Sequence, residues 1–249
     1  MLFYYIRHGE PIYDPDMLTE HGRVEAAALG EKLSRTGLDR IYTSTSVRAM
    51  QTAAPAAELL CIEPVRLDFA NEHYTWLDFT LPKKDGTGDH WVFHDREASE
   101  LFTRPEIREL GDRWFEHPYF APHNFKKGVE RVYGEADAFF ASLGYEHERY
   151  TGTYKVKKQN DERVALFAHQ GFGLIFLSCL LDIPYPQFCT HFDMCHTGAT
   201  VIEFRDNGGG VCIPKVLTMS SDSHLYKKDI PSNYGFIRIL FPCRFSSIP

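Results

Sequence analysis

Two short apolar runs constrain the fold of this chain most: Leu2-Phe-Tyr-Tyr-Ile6 at the start and Arg163-Val-Ala-Leu-Phe-Ala168 far downstream. Each reads as a buried strand, and each stops at a histidine with a glycine close behind, Arg7-His8-Gly9 in one case and His169-Gln170-Gly171 in the other. Helical patterns follow both. After the first, Thr19 is placed to cap a helix in which Val24, Ala27, Ala28 and Leu33 recur at helical spacing, and Gly37 closes it. After the second, an apolar helix runs to Leu181. Between them lies another such unit: the strand Arg40-Ile-Tyr-Thr43, then Ser44-Thr45-Ser46 and a helix with Val47, Met50, Ala53, Ala54 and Ala57 on one face. Pro55 is expected to kink that helix or end it early. Near the end, Ala199 to Phe204, a glycine-rich turn at 208–210 and Val211 to Leu217 predict an antiparallel hairpin, with Pro214 placing its last strand at an edge or a bulge. Strands alternating with helices predict a three-layer α/β/α sandwich around a mostly parallel central sheet.

From Glu72 to Arg163 the pattern changes. Aromatic residues crowd in, among them Tyr74, Trp76, Trp91, Phe93, Trp114 and Phe120, and one helix is plain, with Phe125, Val129, Val132, Ala136, Phe139 and Leu143 on a single face. The expectation is one domain over residues 1–249 with a largely helical insertion at about 75–160 that folds over one end of the sheet as a lid. Exposed aromatics there, or in the tail Phe236-Ile-Arg-Ile-Leu-Phe241, are open to a homodimer contact or to a place in the core.

The chain has 34 acidic against 27 basic residues, which excludes a general nucleic-acid binder with its basic face. A local pair of arginines can still hold a small phosphorylated metabolite or inorganic phosphate on such a protein. Cysteines at 61, 179, 189, 195, 212 and 243 include no CxxC pair and read as reduced core thiols. The amino terminus lacks the pattern of a signal peptide and no apolar run is long enough to span a bilayer, so a cytoplasmic protein without a membrane partner is expected.

Ligands of open α/β sheets bind outside the carboxyl ends of the strands. Arg7 and His8 follow one predicted strand, His169 follows another, and Arg48 sits in the first turn of a helix that follows a third. Arginine offers a planar fork for phosphate oxygens, and a helix amino terminus adds backbone donors. Singly each group means little; together they form a constellation for phosphate.

Arg7-His8-Gly9-Glu10 resembles the RHGE-type signature of the histidine phosphatase superfamily, which includes the cofactor-dependent phosphoglycerate mutases. Leu18-Thr19-x-x-Gly22 resembles that family's LTxxG helix start, and Ser44-x-x-x-Arg48-Ala49-x-Gln51-Thr52-Ala53 its SxxxRAxQTA element. Asn71-Glu72-His73-Tyr74 is similar to the segment that supplies the acid, and Ala168-His169-Gln170-Gly171 to the second histidine. Thr197 to Glu203 and Asp222-Ser-His-Leu225 sit where many members have closing elements. The resemblance implies a phosphoglycerate mutase-like fold and a metal-independent phosphatase, needing no cofactor, that works through phosphohistidine. His8 is then the nucleophile, Arg7, Arg48 and His169 hold the phosphoryl oxygens, and Glu72 protonates the leaving alcohol. His8 must be unprotonated while Glu72 holds its proton.

Two departures bear on the activity. Gln170 follows the second histidine where the acid phosphatase branch has aspartate, which favours Glu72 as the acid. Glu10-Pro-Ile-Tyr-Asp-Pro-Asp16 lacks the serine and asparagine pattern of the mutases, which disfavours the alternative of mutase-type phosphotransfer. A non-catalytic phospholigand-binding module, the third alternative, needs neither His8 nor Glu72. Glu10 is placed to orient the nucleophile or line the entrance, Gln170 to touch phosphate, and His224 either to reach the phosphate or to cap a turn. Cys189-Thr-His191 with Cys195-His196 matches no common zinc spacing, and Phe188 and Phe192 point to packing instead, so no metal is expected. Lys83-Lys84 and Lys126-Lys127 read as a solvated face more than as anion contacts.

Overall fold

A computed structural model describes residues 1–234 and 237–238. The elements that position the site are β1 (Leu2–Arg7), α1 (Glu20–Thr36), β2 (Arg40–Ser44), α2 (Val47–Leu60), β3 (Val65–Leu67), α3 (Glu72–Phe79), α4 (Phe125–Ser142), β4 (Arg163–Ala168), α5 (Gln170–Leu181), β5 (Ala199–Glu203) and β6 (Lys215–Ser221). The six strands form one sheet in the order β6-β5-β1-β4-β2-β3. β1 pairs in parallel with β4, β4 with β2 and β2 with β3, while β5 runs antiparallel to β1 and to β6. The α/β sandwich with a mainly parallel sheet is therefore present.

Side-chain alternation along the strands builds the layers. Tyr4 and Ile6 of β1 pack with Leu29 and Leu33 of α1 and with Ala53, Ala56 and Ala57 of α2. Phe3 and Tyr5 face the other way, into a larger aromatic core with Phe139 and Phe140 of α4 and Phe172 and Phe176 of α5. In parallel register Arg7 lies opposite Ala168, so the next residues, His8 and His169, leave adjacent strands side by side.

Several local expectations change. Thr19 caps α1 and Gly37, with φ of 78°, closes it. The buried residues of α1 are Gly22, Glu25, Ala26, Ala28, Leu29, Gly30 and Leu33, so Ala28 and Leu33 face inward as expected while Ala27 and Val24, 47% exposed, do not. The helix packs its small residues, because Gly22 lies against the loop after β1: a Cβ there would come within 2.2 Å of the Glu10 carbonyl oxygen. α2 does not end early but continues past Pro55 to Leu60. The ring abuts Gly30 of α1, where a Cβ would lie 2.7 Å from Pro55 Cβ, and close packing of the two helices offsets the missing hydrogen bond. Val47 is exposed, and the inner face of α2 is Ala49, Thr52, Ala53, Ala56 and Ala57.

The hairpin near the end is split. β5 pairs with β6, an edge strand that starts just after Pro214. Val211–Cys212 instead joins Thr153–Val156 and Tyr145–Glu148 in a separate three-stranded sheet. Within the segment at 75–160, α4 is a layer of the sandwich itself, and two antiparallel pairings, Thr80–Pro82 with Asp89–Trp91 and Tyr145–Glu148 with Thr153–Val156, accompany the helices. Most of its aromatics, including Trp114, Phe120 and Phe125, are buried, which removes them as an exposed dimer surface. Asn233–Tyr234 pairs with Ile237–Arg238, but the side chains of the tail 236–241 lie outside the described residues. Cys179, Cys195 and Cys212 are buried free thiols, while Cys61 is exposed and Cys189 half-buried; Cys243 is outside the described residues. Among the described residues no helix is long and apolar enough to cross a membrane.

Candidate active site

His8 leaves the end of β1 with only 1% of its surface exposed. Its backbone N–H donates to the Ala168 carbonyl at 2.9 Å, and Gly9 N–H donates to Thr52 Oγ1 at 3.0 Å, so the turn is fixed from both the sheet and α2. Below it, the fully buried carboxylate of Glu25 accepts from the Glu10 amide at 2.8 Å. His8 Nδ1 lies 2.7 Å from the Gly9 carbonyl oxygen. A carbonyl only accepts, so Nδ1 carries the proton and Nε2 keeps its lone pair. Burial, then the charges of His169, Arg7 and Arg48, hold the imidazole well below the usual histidine range, and it is neutral at physiological pH.

His169 stands beside it, with ring centroids 5.3 Å apart, and is completely buried. Its Nδ1 accepts from Arg48 Nη2 at 3.0 Å, which leaves Nε2 as the donor to Ser44 Oγ at 2.8 Å. Burial, Arg48 and Arg7 keep it neutral too. Arg48 comes from the first turn of α2, capped by Ser46, and its Nη1 donates to Asp16 at 2.8 Å while Nη2 donates to Glu72 at 3.1 Å. Asp16 also accepts from the Val47 amide at 2.8 Å, tying the loop after β1 to the start of α2. Glu72 opens α3 behind its cap Asn71, and its second oxygen accepts from the Gly171 amide at 2.8 Å, at the amino terminus of α5. Arg7 Nη1 donates to the Met194 carbonyl at 2.5 Å. The Nε of Arg7 and the Nε of Arg48 are buried without a hydrogen-bond partner among the described residues.

The structure thus brings Arg7, His8, Arg48, Glu72 and His169 together, from segments up to 162 residues apart in sequence. Gln170 lines the same cavity and donates to Asp193. Glu10 does not line it; its carboxylate is 3.9 Å from His21. His224 is also absent from the lining: its Nε2 lies 2.8 Å from Thr197 Oγ1, behind the corner whose amide contacts the His8 carbonyl. Lys84, Lys126 and Lys127 pair with Glu97, Glu130 and Asp78 away from the cavity. The cysteine and histidine residues at 189–196 form no metal-type cluster among the described residues; the one such group is His8, Glu72 and His169, whose donor atoms lie within 4.8 Å of one another.

Two groups escaped the sequence reading. Asp16 sits in a proline-containing loop with no spacing to mark it. His196, considered only beside cysteines, lines the cavity with its ring 5.8 Å from His8, 7% exposed, and burial lowers it to about 3. Its place just before Thr197-Gly198, in a closing element, was the available signal.

Two guanidinium groups with unused donors and a neutral imidazole with a free lone pair can hold a tetrahedral oxyanion and present a nitrogen nucleophile to it. Residues 3–75 match the family model of the histidine phosphatase superfamily (branch 1). Solved structures share the fold. A structure described as mycobacterial hydrolase 1 is 18% identical with a TM-score of 0.58, covering 88% of this chain and 98% of its own. A phosphoserine phosphatase mutant from Entamoeba histolytica in complex with phosphoserine is 18% identical with a TM-score of 0.57, covering 90% and 98%. Mycobacterial glucosyl-3-phosphoglycerate phosphatase with VO3 is 18% identical with a TM-score of 0.57, covering 88% and 99%. No curated protein sequence matches the chain.

Proposed function

We propose that this protein is a metal-independent phosphatase that hydrolyses a small phosphomonoester through a phosphohistidine at His8. The observation that carries this is the neutral His8 with its Nδ1 proton committed to the Gly9 carbonyl, beside two guanidinium Nε groups that have no hydrogen-bond partner among the described residues. Solved structures with this fold include phosphoserine and glucosyl-3-phosphoglycerate phosphatases, which supports the same class of chemistry here.

Arg7 and Arg48 take the phosphoryl oxygens, and a bound dianion favours the protonated, donating form of His169. Nε2 of His8 attacks in line; the N–P bond forms as the bond to the ester oxygen breaks, and Glu72 gives its proton to that oxygen. The dianion competes with Glu72 for Arg48, which frees the carboxyl for this transfer. Water then attacks phosphorus, Glu72 takes its proton, the N–P bond breaks and inorganic phosphate leaves. The segment around Trp76 and Trp91 forms the lid over the cavity.

The test is phosphate release from a panel of phosphomonoesters, with EDTA present, by wild type and His8→Ala. Release by wild type and its loss in the variant are expected; equal release by both sinks the mechanism. Mutase activity without net phosphate release would move the function to phosphotransfer.

A further inference from the structure

The cavity at the carboxyl end of the sheet encloses about 750 Å³, far more than a phosphoryl group fills. Among the described lining residues, Arg7 and Arg48 are the only side chains with a permanent positive charge, and both belong to the phosphate end. Arg48 is already shared by Asp16 and Glu72. Three histidines also line it, His73, His94 and His196; burial lowers His94, and it lowers His196 to about 3. Beyond the arginines the cavity meets the carboxylates of Asp16 and Asp193, and Lys83, Lys84, Lys126 and Lys127 line none of it.

Beside Pro11, Ser46, Asn71 and Gln170, the wall carries three aromatic side chains, Tyr13, Trp76 and Trp91. Trp76 and Trp91 meet edge to face at 4.9 Å, and Phe93 stacks on Trp91 at 5.4 Å. Trp91 is wedged against Gly171, where a Cβ would fall 2.4 Å from the indole, so this wall is set in place by the same helix start that holds Glu72. Tyr13 lines the cavity from the loop after β1, with Arg48 5.4 Å over its ring. A second anionic group on the substrate would find two carboxylates and, among the described lining residues, no further permanent cation; a flat ring would find indole and phenol surfaces already ordered.

Resting on the phosphatase function above, we infer that the monoester taken by this site carries a flat aromatic ring next to its phosphate and no second anionic group.

Benzyl phosphate, ethyl phosphate and 4-carboxybenzyl phosphate are alkyl esters whose leaving alcohols differ little in acidity, so they separate ring from charge. kcat/KM of the full chain is expected to be higher for benzyl phosphate than for either of the others by about tenfold or more. Trp76→Ala is expected to bring the benzyl-to-ethyl ratio towards one. A carboxybenzyl ester as good as the benzyl ester, or a benzyl-to-ethyl ratio within about threefold, overturns the inference. Calorimetric binding of the same three esters to His8→Ala reads ligand class without turnover. If no ester is hydrolysed, the phosphatase function fails, and the order of binding alone decides the ligand class.

Discussion

Glu72 is held against the guanidinium of Arg48 at 3.1 Å, with its other carboxylate oxygen on the Gly171 amide at 2.8 Å. The helix that opens at Glu72, the helix that carries Arg48 and the helix that starts after His169 therefore meet at one carboxylate. Removing its proton-transfer capacity without removing its shape is the informative change. Glu72→Gln is expected to lower kcat/KM, which reports formation of the phosphoenzyme, on alkyl phosphates by ~10²–10⁴, and by less on p-nitrophenyl phosphate, whose leaving group needs no proton. Steady-state rates on the two ester types check this, and an equal loss on both would remove Glu72 as the acid.

Gly171→Ala tests the contact with Trp91. Its Cβ would come within 2.4 Å of Trp91, and either the indole or the start of α5 must move. A destabilisation of roughly 1–3 kcal/mol is expected, with a loss of kcat/KM because Glu72 and His169 are fixed by the same turn. Urea unfolding and kinetics on one preparation measure both.

Stability should depend on pH in two opposed ways. His8, His169, His196 and His224 are buried and lowered, chiefly by burial, His196 to about 3 and His224 to about 4. Below the ordinary value of 6.5 the unfolded chain takes up protons that the folded chain refuses, so stability falls as pH drops through that value. His147 is the reverse: burial opposes its charge, but the hydrogen bonds and charges of Asp137 and Asp182 raise it to about 9. Its contribution is complete below 6.5 and is lost as pH rises through about 9. The histidines thus place maximum stability near pH 6.5, and urea midpoints at about pH 5, 6.5 and 8.5 should peak at the middle value. In His147→Gln the fall on the alkaline side should flatten.

Chelation should leave turnover unchanged, because arginine and histidine donors meet the phosphoryl charge in this mechanism. Added Zn²⁺ should inhibit reversibly. The donor atoms of His8, Glu72 and His169 lie within 4.8 Å of one another, and a bound ion would occupy the nucleophile's lone pair. Activity that fell with EDTA alone would contradict the mechanism; inhibition by Zn²⁺ that EDTA then relieves would agree with it.

Strand periodicity and turn chemistry are local, and they made the sandwich, the cap at Thr19 and the stop at Gly37 legible in the sequence, together with the strand ends that carry His8 and His169. The placement of Arg7 and Arg48 was legible too, because each sits where a strand ends or a helix begins, and the carboxyl edge of a parallel sheet gathers such positions; Glu72 was marked only by the resemblance of Asn71-Glu72-His73-Tyr74 to the acid segment of the histidine phosphatases. What side chains do across elements was not. Whether Val24 or Glu25 faces inward depends on how closely α1 approaches the loop after β1, and Gly22 sets that distance. Pro55 stays helical because Gly30 of another helix makes room for it. Asp16 and His196 reached the site, and His224 stayed behind it, through contacts between segments distant in the chain. Local sequence carries propensity and periodicity; burial, tautomer and partner are set by non-local packing, and only the tertiary structure decided them.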